Sequence, residues 1–244
     1  MRPRPPSSKL QLSQFGDQYR RLFLTLETTS ARSAAGIRAV ILDYGEVLCQ
    51  LPTPENIELL ARIFRVDSQS FLPMYLKTRV PYDRGDLLPA AYWRDFARQA
   101  GVAVDEKLID QLRQVDKDMW SRPNEPMIQW LGRIHAAGFK TAILSNMPTD
   151  MADHVRETFP WLAEFDQHIF SAEVRSAKPE PAIYRHAIEA LDVAPSEALF
   201  IDDREENLAG ARAMGIRGIR YRTVEQLRED LRAIGFPLLP NASV

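Results

Sequence analysis

The stretch Arg38-Ala-Val-Ile-Leu-Asp43 carries the clearest structural signal in the chain. It is a short apolar run that ends in a carboxylate, and this pattern predicts a buried strand with Asp43 at its C-terminal end. Residues 139–146 and 198–203 have the same design, because each is an apolar run that stops at small polar or acidic residues. Three strands that each deliver a polar side chain to their end indicate a functional site at that edge of a sheet.

Helical patterns alternate with these strands. We also predict short strands at residues 168–170 and 216–221, and helices at residues 127–137, 181–191 and 206–214. Such alternation is typical of a parallel sheet with helices on both faces. Ligands of these sheets bind beyond the C-terminal ends of the strands, so Asp43, Ser145 and Asp202 are expected to converge there. The sequence therefore predicts an α/β fold with a Rossmann-like parallel sheet.

The middle of the chain shows helical patterns without strands. Helices are predicted at residues 55–64, 68–77, 88–99 and 106–120. We expect residues 51–122 to form an inserted all-helical cap domain on a core made of residues 37–50 and 123–244. Residues 1–36 are rich in proline, serine and arginine. For them we expect an N-terminal extension that is flexible or partly helical, with a short helix at residues 14–26.

The composition is typical of a soluble globular protein, with 45% hydrophobic and 26% charged residues. The formal net charge of −2 argues against a nucleic-acid partner, which usually requires a basic surface. No apolar run approaches the roughly 18 residues needed to cross a bilayer. The single cysteine, Cys49, excludes an intramolecular disulfide and fits a reducing compartment. We expect a cytoplasmic protein that acts on small molecules and not on membranes, while the sequence leaves its oligomeric state undecided.

Asp43 is the candidate nucleophile. A carboxylate attacks phosphorus when the charge of the phosphoryl group is masked, normally by a hard divalent cation and a fixed basic side chain. Asp202 and Asp203 place two carboxylates at a strand end, and Asp43 and the carbonyl of Gly45 can add further oxygen ligands. Such a ligand set suits Mg²⁺. The pattern favours magnesium-dependent hydrolysis of a small phosphorylated metabolite.

Three further residues are candidates for contact with the phosphoryl group. Ser145 and Asn146 follow the second strand and offer a hydroxyl and an amide, and Lys178 offers a compact positive charge. Each residue taken alone is more often an ordinary turn or surface residue. The prediction depends on their order and on their places at strand ends and helix starts.

At this point the sequence resembles the haloacid dehalogenase-like (HAD) hydrolase superfamily over residues 38–221. The matching segments are AVILDYGEVL (39–48), TAILSN (141–146), SAKPEPAIY (176–184) and LFIDDREENLAGARAMGI (199–216). The resemblance implies the C1-capped phosphatase branch, in which Asp43 forms an aspartyl-phosphate and Lys178 neutralises charge. By the same resemblance, Ser145 and Asn146 bind phosphate, and Asp202 and Asp203 hold magnesium.

The resemblance also implies that the cap selects the substrate. The run Tyr82-Asp83-Arg84-Gly85 resembles a loop that many relatives point at the substrate, which makes Arg84 a candidate substrate-binding residue. Arg79 and Trp93 are further candidates in the cap. The alternative interpretation of all three is that they are ordinary core or surface residues of the cap.

Gly45 departs from the pattern of typical family phosphatases, which carry there a second aspartate that protonates the leaving alcohol. DYGEV is closest to the DxGN-type subgroup, which resembles sugar-phosphatases acting on an anomeric phosphate, whose oxygen leaves more easily. Glu46 is a candidate substitute acid, although it lies one residue out of register. A sugar phosphate is therefore one substrate that the resemblance implies.

Three alternatives remain open at this stage. A 2-haloacid dehalogenase uses the same aspartate without a metal, but the Asp202–Asp203 pair argues against it because clustered carboxylates repel an anionic substrate. A signalling receiver domain gathers similar residues, yet it presents the acid pair first. A non-catalytic relative that only binds a ligand is motivated by the missing acid at Gly45.

Overall fold

The computed structural model describes residues 36–241, and its centre is a five-stranded sheet. The strands are β1 (Ala39–Leu42), β2 (Lys140–Ser145), β3 (Gln167–Phe170), β4 (Ala198–Asp202) and β5 (Arg217–Arg220). Their spatial order is β3-β2-β1-β4-β5, and every pair of neighbours is parallel. Strand β1 lies at the centre, and the predicted α/β fold with a Rossmann-like parallel sheet is confirmed.

Helices occupy both the segment between β1 and β2 and the connections of the sheet. Between β1 and β2 lie α1 (Pro54–Phe64), α2 (Ser68–Thr78), α3 (Val80–Asp83), α4 (Pro89–Gln99) and α5 (Glu106–Met119). Helix α6 (Glu125–Ala136) also precedes β2, and the later helices are α7 (Thr149–Thr158), α8 (Ser171–Val174), α9 (Pro181–Leu191), α10 (Glu205–Ala213) and α11 (Val224–Ala233). Two 3-10 turns, Pro160–Glu164 and Pro195–Glu197, precede β3 and β4. Within residues 36–241, each strand and helix that the sequence predicted is present, whereas α3, α7, α8 and α11 were not predicted.

The sheet is buried on both faces. Even-numbered residues of β1 enter one hydrophobic cluster and odd-numbered residues enter another. Val40 and Leu42 pack into one cluster with residues of α6, α7 and α11. Ala39 and Ile41 pack into the other with residues of α9 and α10. Strand side chains alternate between the two faces of a sheet, so a continuously apolar strand requires cover on both sides. This explains why the run at β1 lacks polar alternation.

Helices α1 to α5 form the inserted all-helical cap domain. They share a hydrophobic cluster of their own, in which the aromatic rings of Phe64, Trp93 and Phe96 lie in contact. The Phe64 and Phe96 centroids are 4.6 Å apart in an edge arrangement, which is a favoured geometry for aromatic pairs. This separate hydrophobic core stabilises the packing of the cap helices against one another, independently of the sheet.

The two chain segments that join the cap to the sheet lie side by side. The amide of Gln50 donates a hydrogen bond to the carbonyl of Arg122 at 2.8 Å, and the amide of Asn124 donates to the carbonyl of Leu48 at 2.9 Å. The Tyr82 hydroxyl also donates to Asp150 on α7 at 2.9 Å. These contacts place the cap over the C-terminal edge of the sheet.

The predicted N-terminal extension falls almost wholly outside the described residues, as does the short helix expected at residues 14–26. Among residues 36–241, no helix is long and apolar enough to cross a membrane.

Candidate active site

Asp43, Lys178 and Asp202 meet at the C-terminal edge of the sheet. The Lys178 Nζ atom lies 2.7 Å from Asp43 Oδ1 and 2.7 Å from Asp202 Oδ2, and all three residues are buried. The register explains why the two carboxylates meet, because Leu42 pairs with Ile201 and Asp43 and Asp202 are the next residues along each chain segment. With Asp203, which follows directly on the chain, these residues form what we call the core cluster.

Lys178 is held in place through its backbone by Asn146. The Asn146 Nδ2 atom donates to the Lys178 carbonyl at 2.9 Å, and the Lys178 amide donates to Asn146 Oδ1 at 2.8 Å. The sequence predicted Asn146 as a phosphate contact, whereas its amide is engaged in fixing the lysine. Ser145 is buried beside it and lines the same cleft as Asp43.

The core cluster provides an oxygen-rich site for a cation. One carboxylate oxygen from each of Asp43, Asp202 and Asp203 lies within 4.8 Å of the others. Hydrogen bonds fix Asp202, since Asn207 Nδ2 donates to its Oδ1 at 3.0 Å and the Arg204 amide donates to the same oxygen at 2.8 Å. Mg²⁺ prefers hard oxygen donors from a few carboxylates, so the donor set fits this ion.

Asn207 is a positioning residue that sequence reasoning missed. It lies five residues after Asp202, within the segment that carried the fourth resemblance, and it is buried. The signal was available in principle, because a polar side chain on the inner side of the first turn of α10 needs a partner.

Burial and repulsion between the carboxylates raise the pKa values of Asp43 and Asp203 in the core cluster. Burial raises the pKa of Asp43 to about 8, against the opposing effect of Lys178, and the charges of Asp202 and Asp203 raise it further. Burial and the charge of Asp202 also raise the pKa of Asp203 to about 7. Three carboxylates face one ammonium group, so the site favours binding of a proton or another cation.

A cleft of about 480 Å³ joins the core cluster to the cap. Gly45 and Glu46 line it on the core side, and Arg79 and Asp83 line it on the cap side. Arg84 does not appear among the described residues that line this cleft, because its guanidinium pairs with Glu180 at 2.7 Å and with Asp86 at 2.8 Å. Trp93 is buried in the cap's own core.

Gly45 and Glu46 differ in backbone conformation. Glu46 has a φ of +59°, a left-handed conformation that is unfavourable for a residue with a long side chain. Burial raises the pKa of this half-buried carboxyl. A Cβ atom added at Gly45 would lie 3.8 Å from the nearest heavy atom outside its chain neighbours, Cζ3 of Trp120, so a Cβ atom fits there in ordinary van der Waals contact.

The cap contains a second buried ionic group, which we call the cap cluster: Arg79, Asp83 and Asp116. Arg79 Nη1 lies 3.0 Å from both carboxylate oxygens of Asp116, and its Nη2 lies 3.1 Å from Asp83 Oδ1. The Tyr75 hydroxyl donates to Asp116 and accepts from Arg79, while the Trp120 indole donates to Tyr75 at 3.0 Å. Sequence reasoning named Arg79 but missed Asp116, which lies 37 residues further along the chain.

Comparisons with known proteins agree with this geometry. The chain is 35% identical over 136 residues to (S)-2-haloacid dehalogenase 1 of Pseudomonas sp. (strain CBS-3), covering 55% of this chain and 59% of that protein. It is 30% identical over 127 residues to phosphoglycolate phosphatase of Psychrobacter arcticus, covering 48% of this chain and 54% of that protein. The chain thus spans just over half the length of these curated relatives.

A solved structure extends the similarity to most of the fold. The HAD family enzyme bt-2542 from Bacteroides thetaiotaomicron, solved as a magnesium complex, superposes with a TM-score of 0.66 at 25% sequence identity. The superposition covers 81% of this chain and 99% of that chain. The sequence profile of the haloacid dehalogenase-like hydrolases matches residues 37–215, a segment that includes strands β1 to β4, the cap and the core cluster. This chain belongs to the haloacid dehalogenase-like hydrolase family.

Proposed function

We propose that this hydrolase is a magnesium-dependent phosphatase that acts on small phosphorylated molecules through an aspartyl-phosphate on Asp43. The observation that carries the proposal is the double contact of Lys178, 2.7 Å from both Asp43 and Asp202, beside a third carboxylate at Asp203. The excess negative charge of these carboxylates favours binding of a divalent cation. That cation can in turn bind a phosphoryl group.

In the first step, a carboxylate oxygen of Asp43 forms a bond to phosphorus while the bond from phosphorus to the alcohol oxygen breaks. Lys178 keeps Asp43 oriented and provides positive charge to the phosphoryl oxygens. Ser145 provides a hydroxyl from the end of β2. Bound Mg²⁺ would supply charge neutralisation between the carboxylates and the phosphoryl group, held by Asp43, Asp202, Asp203 and the carbonyl of Gly45.

In the second step, water attacks phosphorus, inorganic phosphate leaves, and the Asp43 carboxylate is regenerated.

Family phosphatases carry an acid two residues after the nucleophile, and this chain has Gly45 there. Substrates whose oxygen leaves without strong protonation are therefore favoured. A sugar 1-phosphate and a phenyl phosphate both meet this requirement.

A 2-haloacid dehalogenase is the alternative, and the 35% identity to such an enzyme favours it. In that reaction Asp43 would displace halide from carbon without a metal. The third carboxylate, Asp203, argues against it because it adds negative charge beside an anionic substrate.

The test is to incubate the purified full chain with phenyl phosphate, glucose 1-phosphate and 2-chloropropionate, each with Mg²⁺ and with a chelator. We expect phosphate release that requires Mg²⁺ and no chloride release. Chloride release that persists in chelator would instead support the dehalogenase. Magnesium-dependent binding of a phosphate mimic without any turnover would support a non-catalytic relative.

We also propose domain boundaries and a cellular location for this chain. We propose residues 37–50 and 123–244 as the core and 51–122 as the cap, since the hydrogen bond between Gln50 and Arg122 marks where the two segments cross. We further propose a cytoplasmic enzyme whose partner is its small-molecule substrate.

A further inference from the structure

The part of the cleft beneath the cap has an apolar surface. Leu76 of α2 and Val80, the first residue of α3, lie four residues apart, and their exposed fractions are 47% and 55%, although both are large apolar residues. Met147, Met151 and Trp120 line the same cleft. Exposed apolar side chains gathered at one cleft are typical of a site that binds an apolar group.

The cations that line the cleft within the described residues are already paired. Lys178 contacts two carboxylates of the core cluster, and Arg79 contacts both carboxylates of the cap cluster. Arg204, at the exposed rim, forms an ion pair with Glu206. A carboxylate or second phosphate on the substrate would therefore have to displace an existing ion pair, which is costly where the pair is buried.

Two polar groups that line the cleft near the cap, on Tyr44 and Asp83, are also engaged. The Tyr44 hydroxyl donates to the Trp120 carbonyl at 2.5 Å, and the Asp83 carboxylate accepts from Arg79 Nε at 3.1 Å. The hydroxyl groups of a sugar need hydrogen-bond partners once they leave water, and burying them without partners is unfavourable. The wall built from Leu76, Val80 and Met151 offers apolar side chains instead.

We propose that the substrate of this phosphatase is a phosphate monoester whose alcohol or phenol portion is apolar and uncharged. The inference deepens the proposed function and rests on it. The phosphate lies at the core cluster, and the apolar portion lies between Leu76 and Val80 of the cap and Met147 and Met151 of the core. The cleft volume of about 480 Å³ is within the range of small-molecule sites, roughly 300–1,000 Å³.

The test uses 4-alkylphenyl phosphates with methyl, ethyl, propyl and butyl substituents. Their leaving groups are similar, so the acid missing at Gly45 affects the whole series equally. With Mg²⁺ and the full chain, we expect kcat/KM to rise by up to about fourfold for each added methylene, the factor for complete burial. We expect 4-carboxyphenyl phosphate and glucose 1-phosphate to be poorer substrates than 4-ethylphenyl phosphate.

A pair of cap variants tests where the apolar portion lies. Leu76→Ser should reduce the ratio of kcat/KM between the butyl and methyl compounds by about tenfold, because it removes apolar surface from the cleft. Leu59→Ser is the matched control, since Leu59 is a cap leucine with a similar exposed fraction of 40% and does not line the cleft among the described residues. This control should keep the ratio of the unmodified protein.

Binding is measured separately with 4-alkylbenzylphosphonates, which are not hydrolysed, by calorimetry in the presence of Mg²⁺. We expect affinity to rise with alkyl length. If phenyl phosphate is hydrolysed but neither rate nor affinity depends on alkyl length, or glucose 1-phosphate is preferred, the inference is overturned and the phosphatase remains. If no ester is hydrolysed but affinity rises with alkyl length, the apolar site stands and the proposed function fails.

Discussion

The core cluster and the cap cluster have the same basic composition, since each surrounds one buried cation with two carboxylates, yet their surroundings differ. In the cap cluster, Asp116 receives two contacts from Arg79 and one from Tyr75, so the group is closed by hydrogen bonds. In the core cluster, Asp203 adds a third carboxylate, and the group opens into the cleft. Arg79 and Asp83 of the cap cluster also line the cleft. The larger surplus of carboxylates in the core cluster suits ligand binding, whereas the hydrogen bonds that close the cap cluster suit holding helices together.

The largest expected effect comes from removing the nucleophile in the core cluster. We expect Asp43→Asn to reduce magnesium-dependent hydrolysis of phenyl phosphate by at least about a thousandfold, because no carboxylate is left to attack phosphorus. Thermal unfolding should show no loss of stability, since the amide removes one of three crowded carboxylates. Activity within tenfold of the unmodified protein would contradict the assignment of Asp43.

The opposite result is expected in the cap cluster, where the cation has a structural role. We expect Arg79→Met to lower the free energy of unfolding by about 3–5 kcal/mol, because it leaves Asp83 and Asp116 buried without their counterion. Urea unfolding measures this loss. The control is Arg94→Gln in the cap, whose side chain is 44% exposed and pairs with Glu106, which is 76% exposed. This exposed pair should contribute no more than about 1 kcal/mol, and equal losses in the two variants would remove the distinction between the clusters.

A pH series separates the clusters by their response to Mg²⁺. The folded protein binds protons at Asp43 up to a pKa of about 8 and at Asp203 up to about 7, whereas both unfolded carboxyls release them near 3.8. The folded state therefore holds more protons between pH 4 and 8, and the free energy of unfolding without metal should fall as pH rises. Mg²⁺ replaces those protons, so its stabilisation should be larger at pH 8 than at pH 5.

A matched pair of variants tests whether Mg²⁺ binds at the core cluster and not at the cap cluster. Burial raises the pKa of Asp83 to about 7, so the cap cluster contributes to the fall in stability without metal. Thermal unfolding of Asp203→Asn should lose most of the magnesium-dependent increment, and Asp83→Asn should keep it. A magnesium increment that is equal at both pH values would refute the assignment of the core cluster as the metal site.

The smallest expected effect comes from adding a carboxylate to the core side of the cleft. Gly45→Asp should raise turnover of alkyl phosphates, such as ethyl phosphate, by roughly tenfold, because it supplies an acid for the leaving alkoxide. A Cβ atom at this position fits, at 3.8 Å from Trp120. Phenyl phosphate should respond less. An unchanged rate with ethyl phosphate would indicate that another residue, with Glu46 as the first candidate, already provides the proton.

The core cluster could be predicted from sequence because its positions follow from local patterns. Asp43 follows β1 and Asp202 ends β4, and parallel neighbours with matched register bring such ends together. Lys178 was a candidate for its positive charge, and the resemblance implied its role in neutralising charge. The role of Asn146 was not predictable, because both a phosphate contact and a backbone contact suit an amide at the end of a strand.

The cap was less predictable because its contacts are set by the directions of side chains on short helices. The unpredicted helix α3 places Asp83 at the cleft and turns the next residue, Arg84, towards Glu180. The pairing of Arg79 with Asp116 joins the residue between α2 and α3 to α5 across 37 residues, and no local pattern specifies such a pair. Helical periodicity therefore predicted the four longer helices of the cap but neither α3 nor the ionic contacts.

The adjacency of the two chain crossings, fixed by the Gln50–Arg122 and Asn124–Leu48 hydrogen bonds, has an evolutionary consequence. An insertion whose two ends already meet can change in length or sequence with little extra loop-closure entropy. Selection can therefore replace the insert while the strands beneath keep their register. We expect a foreign insert grafted between Gln50 and Arg122 to alter substrate preference and leave the reaction itself intact.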